Sequence, residues 1–148
     1  MTKVVDTYKK TDFFVASMEK AGALAVEIIE EETLPDGGRR WKAKITEASR
    51  LPEFLRTADI LVMINESTFH PHKKKLEFNI APSAKSVRVT LSGTIDLLEQ
   101  AQETEIVYHV DLSIGIPLFG KKTEALGLKI VGDECGKQAA LLERWANA

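Results

Sequence analysis

Glu105-Ile-Val-Tyr-His-Val-Asp-Leu-Ser-Ile-Gly-Ile116 has the two-residue period of a strand, and it passes through Pro117 into roughly 28 residues of helical spacing. Ile106, Tyr108, Val110, Leu112 and Ile114 share one face; Glu105, Val107, His109, Asp111 and Ser113 share the other. Proline is tolerated in a first helical turn, where its missing N–H has no partner to lose. Beyond it Leu128, Val131, Cys135, Ala139, Leu142 and Trp145 recur at three and four residues, an apolar stripe along one helix. At 1.5 Å per residue that helix is about 40 Å long, enough to cross the whole face of a small sheet. The pair predicts a curved sheet gripping a long helix, with room for a cavity between them.

Upstream, five shorter runs also read as strands. Leu24, Val26 and Ile28 alternate with polar or small residues, then Pro35-Asp36-Gly37-Gly38 marks a turn, and Trp41, Ala43 and Ile45 alternate with Lys42, Lys44 and Thr46. Glu30, Glu31 and Glu32 face a basic strand across this hairpin, so cross-strand pairs worth about a few tenths of a kcal/mol each are expected. Residues 49 to 58 read as a loop or a short helical turn around Pro52. Ile60, Val62 and Ile64 predict a strand ending near Asn65 to Ser67. Leu76, Phe78 and Ile80 follow, and after a turn at Pro82 to Lys85 come Val87, Val89 and Leu91. Gly93 interrupts that last run before Ile95 and Leu97, as a bulge or sharp bend would. Before the strands, Asp12 is placed to cap a helix carrying Phe13, Phe14, Val15 and Met18, with Gly22 to stop it; residues 6 to 21 read as one or two short helices. Six strands joined mostly by short turns are most simply an antiparallel meander. With helices before and after, the fold class is α+β.

A chain of 148 residues fits one domain, and its 44% hydrophobic and 28% charged residues suit a globular protein rather than a disordered one. The net charge of −2 and the lack of a basic stripe argue against nucleic acid as a partner. No stretch approaches 18 uninterrupted apolar residues and the start has no apolar signal core, so no stable membrane insertion and a cytoplasmic location are expected. Cys135 is alone and cannot form an internal disulfide.

Few residues announce chemistry. His70 and His72 flank Pro71 on one side of an extended chain, but no third ligand at a metal-binding spacing accompanies them. Cys135 on the apolar stripe reads as a small hydrophobe rather than a nucleophile. Ser92 and Ser113 lack the Gly-x-Ser-x-Gly setting. Gly127, Gly132 and Gly136 each cost about 1 kcal/mol relative to Ala in a helix interior, which predicts close packing, a bend, or an opening toward a cavity. No metal and no cofactor is indicated.

The element order carries a resemblance. With Ser113-Ile114-Gly115-Ile116-Pro117-Leu118-Phe119-Gly120-Lys121-Lys122 leading into the last helix, and Asp12-Phe13-Phe14 to Gly22-Ala23 in the early helices, the chain resembles the START-like or Bet v 1-like superfamily (SRPBCC, polyketide cyclase-like) over essentially its full length. Within it, the chain resembles an uncharacterised bacterial branch, DUF2505-like, with a comparable Val-Pro-hydrophobic-Gly-Gly-Lys approach to the last helix. The resemblance implies a helix-grip fold enclosing a cavity for a small hydrophobic or lipid-like molecule. By position it implies Trp41, Met63, Phe78, Tyr108, Val110, Leu128 and Val131 as the ligand-binding residues. It also implies a full strand ahead of the first helices, where only Met1 to Val5 stand. Those residues form a stub of that strand, or the start is internal to a longer chain, or a homodimer covers the exposed edge. Three functions follow: a hydrophobic-ligand binder, a cyclase or hydratase-like cavity enzyme, and a structural or regulatory protein with a packed interior.

Overall fold

The computed structural model describes residues 2–48, 60–83, 89–101, 103–114 and 120–147. Two short helices, α1 (Thr2–Tyr8) and α2 (Thr11–Lys20), lead into six strands: β1 (Ala23–Thr33), β2 (Arg39–Ala48), β3 (Ile60–His70), β4 (Lys75–Pro82), β5 (Val89–Glu99) and β6 (Thr104–Ile114). A 27-residue helix, α3 (Gly120–Ala146), ends the chain. The strands form one curved, open antiparallel sheet in sequence order, with β1 and β6 at its edges. This is an α+β plan, a curved open sheet followed by a long helix, and among the described residues the first element is the helix α1.

Alternation in the strands sets the two faces. Trp41, Ala43 and Ile45 of β2 are buried, as are Ile95 and Leu97 of β5, while the intervening charged residues face outward. The β1–β2 turn closes through Leu34 N–H to Gly38 O (2.8 Å) and Gly38 N–H to Asp36 Oδ1 (2.8 Å), with Gly37 at φ 83°. The expected charge pairing is present in Arg39 and Glu31, and Arg39 also donates to Thr33 Oγ1 (2.7 Å). Against the concave face, α1 and α2 contribute Tyr8, Phe13 and Phe14, and the last turns of α3 contribute Leu141 and Leu142. Phe13 ties the two helical parts together edge-to-face with Trp145, ring centroids 5.6 Å apart.

Several expectations are corrected. The strand stub expected at Met1 to Val5 is not formed by Thr2 to Val5, which are helical, with Val4 and Val5 packed on the core from α1; Met1 lies outside the described residues. Asp12 lies inside the first turn of α2, beyond an N-cap at Lys10 that makes no side-chain capping bond; its charge there favours the helix dipole instead. Leu24 is 63% exposed, since a register shift between Ala23 and Ala25 takes it out of the inward set. Strand β3 does not stop at Asn65 but runs to His70. Gly93 marks no bulge: Phe78, Gly93 and Val110 stand opposite one another in unbroken register. On α3, a Cβ at Gly132 or Gly136 would meet nothing within 4 Å, so close packing does not explain them, and both are exposed and stand outside the cavity lining. The loop expected at 49 to 58, the start of the run at Val87, and Pro117 lie outside the described residues.

Candidate functional site

Between the concave sheet face and α3 lies a partly enclosed cavity of about 230 Å³. Its sheet wall carries Trp41, Met63, Phe78, Tyr108 and Val110; Val131 and Cys135 reach it from α3, and Tyr8, Phe14 and Met18 from α1 and α2. Six of the seven residues singled out from the sequence are therefore brought around one space. Leu128 is not: it is 44% exposed. The helical positions that reach the cavity are Ile130, Val131, Glu134, Cys135 and Gln138. At 3.6 residues per turn Leu128 projects about a quarter turn away from their centre.

Two stacked aromatic pairs bring Tyr8, Phe14 and Trp41 to the cavity wall. Phe14 lies parallel to Trp41 with centroids 5.0 Å apart, and Tyr8 lies over Phe69 at 5.4 Å. The Trp41 indole N–H donates to Thr11 Oγ1 at 3.0 Å, which satisfies its one polar atom. Trp41 thus offers the cavity apolar surface and no hydrogen bond.

Two polar groups sit in the apolar walls. On β3, Met63, Asn65, Ser67 and Phe69 all turn inward, and Asn65 and Ser67 are 1% and 2% exposed. The Ser67 hydroxyl donates to Asn65 Oδ1 at 2.5 Å, and Asn65 Nδ2 faces Met18 Sδ at 3.5 Å. Sequence reading passed over this pair because polar residues after an apolar run read as a strand end. The available signal was their phase, in step with Met63 before them and Phe69 after them. Across the cavity the hydroxyls of Tyr8 and Tyr108 interact, and Tyr108 donates to the backbone carbonyl of Cys135 at 3.4 Å.

These groups stay protonated at physiological pH. Burial pushes the Tyr8 hydroxyl well above its usual range, with Tyr108 adding to the effect. Burial, then the neighbouring Cys135, pushes Tyr108 up to about 12. Burial, then the Glu134 carboxylate, pushes the Cys135 thiol up to about 11. They can donate hydrogen bonds, but a base or nucleophile needs its deprotonated form near the working pH.

The histidines lie elsewhere. His70 is half-buried near Glu77 (3.5 Å) and Asp36 (3.8 Å), and exposed His109 lies 3.4 Å from Asp96. Among the described residues no cluster of three His, Cys, Asp or Glu is placed to hold a metal, and no helix is long and apolar enough to cross a membrane.

Fold and site together define an α+β protein whose curved meander and long C-terminal helix enclose a mostly apolar cavity. The chain belongs to the family described as protein of unknown function (DUF2505), whose model matches residues 1–146. Among solved structures it is similar to the crystal structure of TTHA0849 from Thermus thermophilus, at 14% identity and a TM-score of 0.66, over 97% of this chain and 87% of that one. Identity that low speaks for the fold alone. Curated proteins give no match.

Proposed function

We propose that the chain is a START-like domain that binds a small, largely apolar molecule in the cavity between sheet and helix. The observation that carries this reading is the cavity itself, where a packed interior would leave few voids larger than a water molecule. At about 230 Å³ it falls below the roughly 300–1,000 Å³ of ordinary ligand pockets, yet exceeds the ~150 Å³ apolar cavity that admits benzene. The expected ligand is correspondingly small. Buried neutral hydrogen-bonding groups amid apolar walls fit a binding site better than a filled core. The upward-shifted Tyr8, Tyr108 and Cys135 favour binding over acid-base or thiol catalysis, since none is poised near neutral pH.

Native mass spectrometry of gently purified protein, followed by denaturing extraction, tests the proposal. A discrete nonprotein mass that is lost on denaturation is the expected result. A clean apo mass from several expression hosts would favour the packed-interior reading. The same spectrum counts chains, and so tests whether a second copy covers the free edges of β1 and β6.

A further inference from the structure

We infer that the molecule taken into the cavity is uncharged and presents an acceptor oxygen of the ketone, aldehyde or ester kind to the Asn65 side-chain amide, and that carboxylates are rejected. This rests on the reading of the cavity as a binding site and adds the head-group chemistry.

The first observation is where the amide stands. Pairing places Asn65 between Ala43 of β2 and Ile80 of β4, and places Ser67 between Trp41 and Phe78. Both residues line the cavity while almost wholly hidden from solvent. Their polarity is thus displayed inward, among apolar neighbours.

The second observation is how the amide is satisfied. Ser67 uses its proton on Asn65 Oδ1, which leaves the two N–H groups of Nδ2 to find acceptors. The acceptor seen among the described residues is the Met18 thioether sulfur at 3.5 Å, a weak one on a flexible side chain. Chemistry fixes the amide's orientation, because turning it over would set its carbonyl oxygen against the sulfur, acceptor to acceptor. A good donor therefore stands in the cavity wall with a partner that is readily exchanged. A carbonyl oxygen is a stronger acceptor and would take the sulfur's place.

The third observation is charge. The described lining residues include no Lys, Arg or His, and the ionisable carboxylic acids among them, Glu47 and Glu134, have the wrong sign to receive an anion. Tyr8 and Tyr108 donate only as neutral hydroxyls. Among the described residues a carboxylate placed here would be desolvated without meeting a cation, which is far costlier than burying a paired carbonyl.

Three probes of nearly the same shape separate these terms: isopropenylbenzene, acetophenone and benzoate, which carry a methylene, a carbonyl oxygen and a carboxylate at corresponding positions. Titration calorimetry on the full chain should show acetophenone binding about 5-fold tighter than isopropenylbenzene. Benzoate should bind at least ~100-fold more weakly than acetophenone. In ¹⁵N NMR spectra the Asn65 side-chain amide pair should move with acetophenone and not with the hydrocarbon. In an Asn65→Leu, Ser67→Ala double variant the ketone's advantage should vanish while isopropenylbenzene still binds. The parent protein's ratios and amide shifts decide the matter even if that variant does not fold. Equal binding of hydrocarbon and ketone, or tightest binding of benzoate, overturns the head-group inference and leaves the cavity reading standing. Failure of all three probes, hydrocarbon included, overturns both.

Discussion

Gly93 leaves β5 no room for a side chain. A Cβ there would run into the carbonyl of His109, 2.9 Å from its carbon, and stand 3.1 Å from Val110 Cα. Neither obstacle is the free end of a flexible side chain, so the two strands would have to part. Gly93→Ala should therefore destabilise the protein by more than about 2 kcal/mol, read as a fall in the urea midpoint. A variant as stable as the parent would mean that β5 and β6 separate there at little cost. The sequence marked Gly93 as special but not why: alternation from Leu91 to Ile95 continues through it, and the cause is the backbone of another strand. Asn65 and Ser67 went unread for a different reason, their polarity outweighing the phase they share with Met63 and Phe69. A buried amide bonded to a buried hydroxyl is indistinguishable, in a local window, from two polar residues closing a strand. Trp41, Phe78, Tyr108 and Val110 were legible because a two-residue period fixes the face each occupies; Met63 was not, since the Ile60, Val62 and Ile64 run has the opposite phase, and the strand buries Met63 at 6% exposure while Ile60 stands 55% exposed.

Along an element the same logic depends on phase. The stripe read on α3 from three- and four-residue spacings includes Leu128, but the helix turns its buried side through Ile130, Val131, Glu134, Cys135 and Gln138 to Leu141 and Leu142. Glu134 and Gln138 hid the true centre of that stripe, since polar residues lower the apparent burial of the face they occupy. Leu142 is 2% exposed and Leu128 44% exposed, so truncating them should have unlike effects. Leu142→Ala should cost about 2–5 kcal/mol, and Leu128→Ala no more than about 0.5 kcal/mol. Thermal denaturation of the two variants followed by circular dichroism checks this; a comparable loss from both would mean that α3 is rotated from the placement described. For the meander the legible content was larger, because all six strands carry apolar residues in alternation and Pro35-Asp36-Gly37-Gly38 marks the first turn. The helical start at Thr2 escaped notice because it lacks a capping signal, and Val4 and Val5 become helical through their packing on the core.

At the scale of the whole molecule, Tyr8, Tyr108 and Cys135 join three elements, α1, β6 and α3, around one space, so their ionisation bears on the domain rather than on one strand. Each has its protonated form favoured by folding: Tyr8 well above an ordinary 10.0, Tyr108 raised to about 12, and Cys135 raised from 9.0 to about 11. Below pH 9 folded and unfolded chains hold these protons alike, and the groups give stability no slope. As pH rises past the unfolded values, the unfolded chain releases protons that the folded one still binds, so stability falls with pH. The loss begins with Cys135 above about pH 9, grows with the tyrosines above about pH 10, and for Tyr108 is complete once pH passes about 12. Urea midpoints measured at stepped alkaline pH should decline across that window, and Tyr108→Phe should make the decline shallower above about pH 10. Tyrosinate absorbance followed in parallel gives the discriminating result. In the parent, whose two tyrosines are Tyr8 and Tyr108, the signal should rise with unfolding and not before it. Half of the full tyrosinate absorbance already reached near pH 10 in a protein that keeps its folded circular dichroism would show both hydroxyls open to solvent, and would remove the buried tyrosine pair from the account of the cavity.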